Sequence, residues 1–115
     1  MTQTLLSAAS ILDAEDLSEE TVDVPEWGGA VRLCQMTAEE TREFTKHMST
    51  IQGEEDGMFL MLVYSARDVE RKMIFTVEDV ARLRKKNINV LNRLQRIALR
   101  LNKMGDAGEA ALKKD

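Results

Sequence analysis

Apolar and polar positions alternate twice in the first third of the chain. Val22 and Val24 flank Asp23, and Val31 and Leu33 alternate with Arg32 and Cys34. That period of two predicts two half-buried strands. Between them lies Pro25-Glu26-Trp27-Gly28-Gly29, with the only proline and the only tryptophan of the chain. Pro25 cannot donate to a ladder and should end the first strand. Gly28 and Gly29 tolerate the positive φ that a reversal often requires. A β-hairpin over 21–36 follows. An isolated hairpin is marginal in water, so helices must cover one face.

After the hairpin the period changes. Thr37-Ala38-Glu39-Glu40 has the Thr-x-x-Glu form of a capping box, and predicts a helix over 38–50 with Phe44, Met48 and Ile51 as its apolar stripe. Residues 52–57, QGEEDG, read as a polar connection. The run 58–64, MFLMLVY, is the most apolar in the chain. Its length alone fits a buried strand or a buried helix. The dominance of Met and Leu, continuing through Ser65, Ala66 and Arg67, favours helix. Residues 68–72 read as a charged turn, and Met73-Ile74-Phe75 as an irregular segment packed back on the core. Thr76 to Asp79 forms a second cap, followed by a helix over 77–86 with Val80 and Leu83 inward. Asn87 caps or kinks the join to a last helix over 88–104. There Val90, Leu94, Ile97, Leu101 and Met104 alternate spacings of four and three, and Leu91 and Ala98 widen the stripe. Gly105 is a natural stop, and 105–115 reads as a flexible tail.

Ahead of the hairpin, residues 1–20 form a leader. Ser7 can cap a short helix over 8–14, which is too short to persist alone. Its Leu5, Leu6, Ile11, Leu12 and Leu17 either dock on the body or wait for a partner. The fold class expected is α+β: an N-terminal β-hairpin packed on a mostly helical body of about four helices, in one domain over 1–115.

Composition narrows the chemistry. Aromatic residues are only 4% of the 115 positions, so the core must rest on Leu, Val, Ile and Met. No apolar run is long enough to span a bilayer, and the first residues lack the pattern of a signal peptide. A single cysteine, Cys34, excludes an intrachain disulfide, fits a reducing compartment and reads as a small packing residue. A single histidine, His47, excludes a His-His metal pair and reads as a surface or boundary residue. No phosphate loop or nucleophile–base set can be assembled, and the carboxylates cluster at helix starts, where the helix dipole accounts for them. The chain is therefore expected to be no enzyme and to need no cofactor or metal.

Charge is divided unevenly. The net −4 combines −11 over 1–70 with +7 over 71–115. Such a split suggests that the halves attract one another, within a chain or between copies, or that one half faces a charged partner. Between Arg82 and Lys103 there is no acidic residue. That basic set has two readings. One is a nucleic-acid footprint. The other, favoured by a pI near 5.1 and by the absence of aromatics for base stacking, is a solvated face neutralised by the acidic half. The seven methionines either fill gaps in an aromatic-poor core or form an adaptable binding surface. Trp27 either folds back as a lid on the core or stands out as an anchor for a partner.

Three stretches carry a resemblance. LLSAASILDAEDL at 5–17, ETVDVPEWGGAVRL at 20–33 and MTAEETREF at 36–44 resemble the N-terminal half of tail assembly chaperones from long-tailed bacteriophages and prophages. Farther on, IFTVEDVARL and the final leucine-rich helix are similar in layout more than in letters. RDVERKMIF departs from the DEDG-like turn common in such proteins. The resemblance implies a non-enzymatic protein of the host cell cytoplasm, absent from the mature virion. Such a protein binds the tape measure protein and promotes polymerisation of the tail tube protein around it. Self-association is a further expectation, and a small phage or bacterial regulator binding nucleic acid through the basic C-terminal helix is the alternative. The partner-facing candidates are Trp27, Met58, Met61, Arg93, Arg96 and Arg100. Many relatives add a second domain by ribosomal frameshifting, so the gene is expected to carry an adenine-rich run at Lys113-Lys114; a coding sequence without one removes that expectation.

Overall fold

The computed structural model of the protein describes residues 4–51 and 54–103. Met104, the Gly105 stop, the 105–115 tail with Lys113 and Lys114, and positions 52 and 53 of the expected connection lie outside them. In chain order the elements are α1 (Ala8–Asp13), β1 (Glu19–Val24), β2 (Gly29–Cys34), α2 (Ala38–Thr50), α3 (Glu54–Ser65), β3 (Ala66–Arg67), α4 (Val80–Leu83) and α5 (Ile88–Leu101). This is the expected α+β architecture, a hairpin on a helical body, with an additional strand.

The hairpin is longer at its open end than the sequence suggests. β1 starts at Glu19, and Gln35 N–H donates to Ser18 O at 2.8 Å, carrying the pairing one step farther. The register sets Glu20 opposite Leu33, Val22 opposite Val31 and Val24 opposite Gly29. Directly opposed residues share a face, so this set forms the side that meets the helices. The reversal takes four residues: Pro25–Trp27 make one 3-10 turn, and Gly28 follows at φ 79° with its N–H on Pro25 O at 3.1 Å. Only Gly28 uses the left-handed region; Gly29 is already the first residue of β2.

The capping box is present as expected. The Thr37 hydroxyl accepts from Glu40 N–H at 3.0 Å, and the Glu40 carboxylate accepts from Thr37 N–H at 2.9 Å. α3 then starts at Glu54, inside the stretch that reads as connection. Its Gly57 lets Met48 of α2 come close; a Cβ there would stand 2.8 Å from Met48 Cε. Every residue from Phe59 to Ser65 is buried. A helix apolar all round must be enclosed, and α3 is packed by α2, α4, α5 and β2.

α3 does not continue to Arg67, as the sequence suggests. It ends at Ser65, and Ala66 and Arg67 pair with Leu33 and Arg32 of β2 as a third antiparallel strand, giving the order β1-β2-β3. Arg67 then bridges to Met73 across a tight turn in which Asp68 Oδ1 accepts from Glu70 and Lys72 N–H at 2.8 and 2.9 Å. The helix expected over 77–86 is also divided, into a 3-10 turn at Val77–Asp79 and the four residues of α4. Val80 and Leu83 are inward as expected. Asn87 caps α5, its Oδ1 accepting from Asn89 N–H at 2.9 Å. The buried face of α5 is Val90, Leu91, Leu94 and Ala98, whereas Ile97 and Leu101 are half-buried at its margin.

Arg67, 8% exposed, donates to Tyr64 O at 2.6 and 3.1 Å, to Arg71 O at 3.2 Å and to the Glu40 carboxylate at 2.8 Å. Burial pushes the Glu40 carboxyl pKa up, but the Thr37 N–H and the Arg67 charge outweigh it and hold the group below its usual value of 4.5. Replacing Arg67 by Met is expected to lower stability by about 3 kcal/mol, because the carboxylate and two carbonyls lose their donor; a urea titration reads it directly. A carboxyl whose pKa is depressed on folding stabilises fully above its unfolded value and loses that contribution as pH falls through the folded one. Glu40→Gln should therefore be less stable than the parent at neutral pH, with the gap closing on acidification below pH 4.5.

Candidate functional site

The turn at Pro25–Trp27 holds Trp27 at the tip of the hairpin, 36% exposed. Trp27, Glu26, Phe75, Leu83 and Lys86 line a hollow. A second hollow continues from it along Ile74, Asp79 and Arg82, sharing Phe75, Leu83 and Lys86. Together they make one groove with an apolar floor and a charged rim. Trp27 forms one wall of it, so the ring neither closes the core as a lid nor stands clear of the body. The segment expected to pack on the core divides within itself: Phe75 is half-buried against the core, and Ile74 is 48% exposed.

The arginines of α5 lie beside this groove. Arg93 forms a forked pair with Glu26, Nη2–Oε1 at 3.0 Å and Nη1–Oε2 at 3.3 Å, and its Nη2 reaches Asp23 O at 3.5 Å. Arg100 pairs with Glu20 at 2.5 Å. Residues seven apart on a helix are ~10.5 Å apart, so both can reach along β1. Hydrogen bonding to Arg93 holds the Glu26 carboxyl below its usual pKa and raises that of Arg93. Arg96 and Ile97 complete a shallow hollow with the two pairs, and among the described residues Arg96 has no ion-pair partner. The basic face is thus neutralised on its β1 side, in line with the reading in which the acidic half covers it. Glu26 belongs to both the groove and the arginine face and joins them into one surface.

Met58 and Met61 do not share that surface. Met61 is 2% exposed, and its sulfur accepts from Ser65 Oγ at 3.5 Å and Asn102 Nδ2 at 3.9 Å. Met58 is half-buried against the core. Both follow from the enclosure of α3, and the expectation that Met61 faces a partner is corrected. Sequence reading also missed Ile74, Phe75, Leu83 and Lys86 as groove residues. The available signal was the adjacent apolar triplet at 73–75, too short to pack on both sides.

The remaining candidates for chemistry have structural roles. Tyr64 is buried; its hydroxyl bonds His47 Nδ1, its ring meets Phe44 edge-on at 5.6 Å, and burial raises its pKa. Burial likewise raises the pKa of the Cys34 thiol, which donates to Glu19 Oε2 at 3.7 Å. A buried, protonated thiol packs and does not react readily. Among the described residues, no group of three or more His, Cys, Asp and Glu could hold a metal ion, and no helix is long and apolar enough to cross a membrane.

A three-stranded antiparallel sheet packed on a helical body, with the groove and the arginine face adjoining at the hairpin tip, defines a small α+β module. The bacteriophage HK97 tail assembly chaperone has this fold: TM-score 0.59, 22% sequence identity, over 85% of this chain and 95% of that one. At that identity the likeness is one of fold. No family model matches the sequence, and no curated protein does.

Trp27 supports the groove more than the core. Trp27→Ala is expected to lower stability by about 1–2 kcal/mol, less than the 3–5 of an enclosed aromatic, as read from the urea midpoint.

Proposed function

We propose that this chain is a phage tail assembly chaperone, acting in the host cell cytoplasm and absent from the mature virion. It binds the tape measure protein, keeps its apolar helices soluble, and promotes polymerisation of the tail tube protein around it. The observation that carries the reading is the fold likeness to the HK97 tail assembly chaperone over nearly the whole of both chains. The VPEWGG loop and the flanking stretches point independently to the same class. The role is non-enzymatic: the buried Cys34 and Tyr64 and the paired carboxylates are accounted for by packing and capping. The working surface is the groove at Trp27 with the adjoining arginine face; apolar floor and charged rim are the usual composition of a protein-binding patch.

The nucleic-acid alternative is less favoured, because Glu26 and Glu20 occupy Arg93 and Arg100. Co-expression discriminates. The tape measure protein encoded beside this gene is expected to be soluble only when this chain is present. Reversing charge at Arg93, Arg96 and Arg100 together is expected to reduce that solubilisation. If solubilisation persists while retention on DNA at low salt disappears, the face serves nucleic acid and has no part in chaperone action.

A further inference from the structure

β1 is an outer strand of the sheet, and one of its edges has no neighbouring strand. Gln35 N–H donates to Ser18 O at 2.8 Å, which fixes the phase of the β1–β2 ladder. In an antiparallel pair, residues that exchange hydrogen bonds alternate with residues whose N–H and C=O point away. The register then turns Glu20, Val22 and Val24 toward β2, and Glu19, Thr21 and Asp23 toward the free edge. Two contacts agree with that phase. Arg93 Nη2 reaches Asp23 O from outside the sheet at 3.5 Å. On the far side of β2, Arg32, the partner of Thr21, is opposite Arg67, and Ala66 O turns away to accept from Ile74 N–H at 3.3 Å. Apart from the Asp23 carbonyl, the main-chain groups of Glu19, Thr21 and Asp23 have no partner among the described residues. All three residues are exposed.

Beside this edge lies a hollow of about 320 Å³ on α5, lined by Arg93, Arg96, Ile97 and Arg100. Arg93 bonds Glu26 and Arg100 bonds Glu20, so the hollow adjoins the stretch of β1 whose edge is open. Val22 and Ile97 are both half-buried at the margin of the core. Arg96 is exposed and has no ion-pair partner among the described residues. A strand added beside β1 would extend the helix-facing side of the sheet over Ile97 and Arg96, because directly opposed residues share a face.

A row of open main-chain donors and acceptors is satisfied by another extended chain and not by a helix, whose own groups are already bonded. We propose that the β1 edge takes an extended segment of the tape measure protein as a further strand. An apolar side chain opposite Val22 lies on Ile97, and a carboxylate two positions along, on the same face, meets Arg96. The chaperone reading supplies the partner; the edge and the hollow supply the place and the manner of binding. From Glu19 to Asp23 is about 13 Å, room for roughly five partner residues. Main-chain bonds give affinity without reading sequence, and the hollow selects an apolar residue near an acidic one.

Amide exchange, read residue by residue on the full chain alone and on its co-expressed complex with the tape measure protein, tests this. In the chain alone the amides of Glu20 and Val22 are expected to be protected, and those of Glu19, Thr21 and Asp23 to exchange freely. In the complex those three should slow as well. Thr21→Pro removes an outward N–H at an edge position, where proline is tolerated. It is expected to weaken capture of the tape measure protein about tenfold, the loss of one or two main-chain bonds, whereas Thr21→Val keeps the N–H and should capture like the parent. An unchanged urea midpoint establishes that Thr21→Pro is folded. Arg96→Glu leaves the backbone alone and should also weaken capture. Capture without slowing at Glu19, Thr21 and Asp23, or capture undiminished by Thr21→Pro or by Arg96→Glu, overturns the strand and leaves the chaperone reading standing. Protection of the three amides in the chain alone overturns it too, since another copy then covers the edge. Absence of any capture overturns the chaperone reading and the strand with it.

Discussion

Arg67 lies where three parts of the chain meet, almost without solvent, and its bonds tie down all three. Two go to Tyr64 O, in the last turn of α3, where helical carbonyls lose their intrahelical partners. One goes to Arg71 O in the turn that follows β3, and one to Glu40, whose other oxygen already caps α2. The helix can therefore stop at Ser65, and the next two residues are free to join β2. Without a donor at that point the Tyr64 carbonyl would be buried unpaired, at about 1–3 kcal/mol. The register of β3, the start of α2 and the direction of the chain toward Phe75 all depend on this one guanidinium.

What that arrangement positions is the far end of the molecule. By turning the chain after β3, it brings Ile74 and Phe75 back beside the hairpin tip, where Trp27 and Leu83 complete the groove. The hairpin is held over α5 by Arg93–Glu26 and Arg100–Glu20, one near each end of β1. Exposed pairs of this kind contribute little to stability in general. Their value here is in orientation. The division of charge along the sequence is thus partly resolved inside one chain. Arg82 and Lys86 are left on the groove rim, and the acidic leader is left at the opposite end.

Enclosure of α3 and exposure of α1 have one cause. The core has room for a single all-apolar helix between the sheet, α2 and α5, and the methionines of 58–64 fill it. The leader has comparable apolar character in too short a stretch, on the wrong side of the Ser18–Gln35 anchor, and finds no place there. The same residue types are core in one segment and unsatisfied surface in the other.

Several features were legible in the sequence because they are settled within about four residues. The Ser7, Thr37 and Asn87 caps, the Pro25–Gly28 reversal, the two alternating strands and the apolar stripe of α5 all belong to this class. The fold class follows from them, as does Trp27 at the hairpin tip. Other features depended on partners far away in the chain. Ala66–Arg67 is a strand only because β2 lies alongside it, and two residues carry no pattern of their own. Glu20 and Glu26 meet α5 across 80 and 67 positions. Whether Met61 packs or Ile74 protrudes is a question of which neighbours arrive. Local hydrogen bonding writes its own pattern into adjacent residues. Burial and long-range pairing are decided by packing, after the chain has closed on itself.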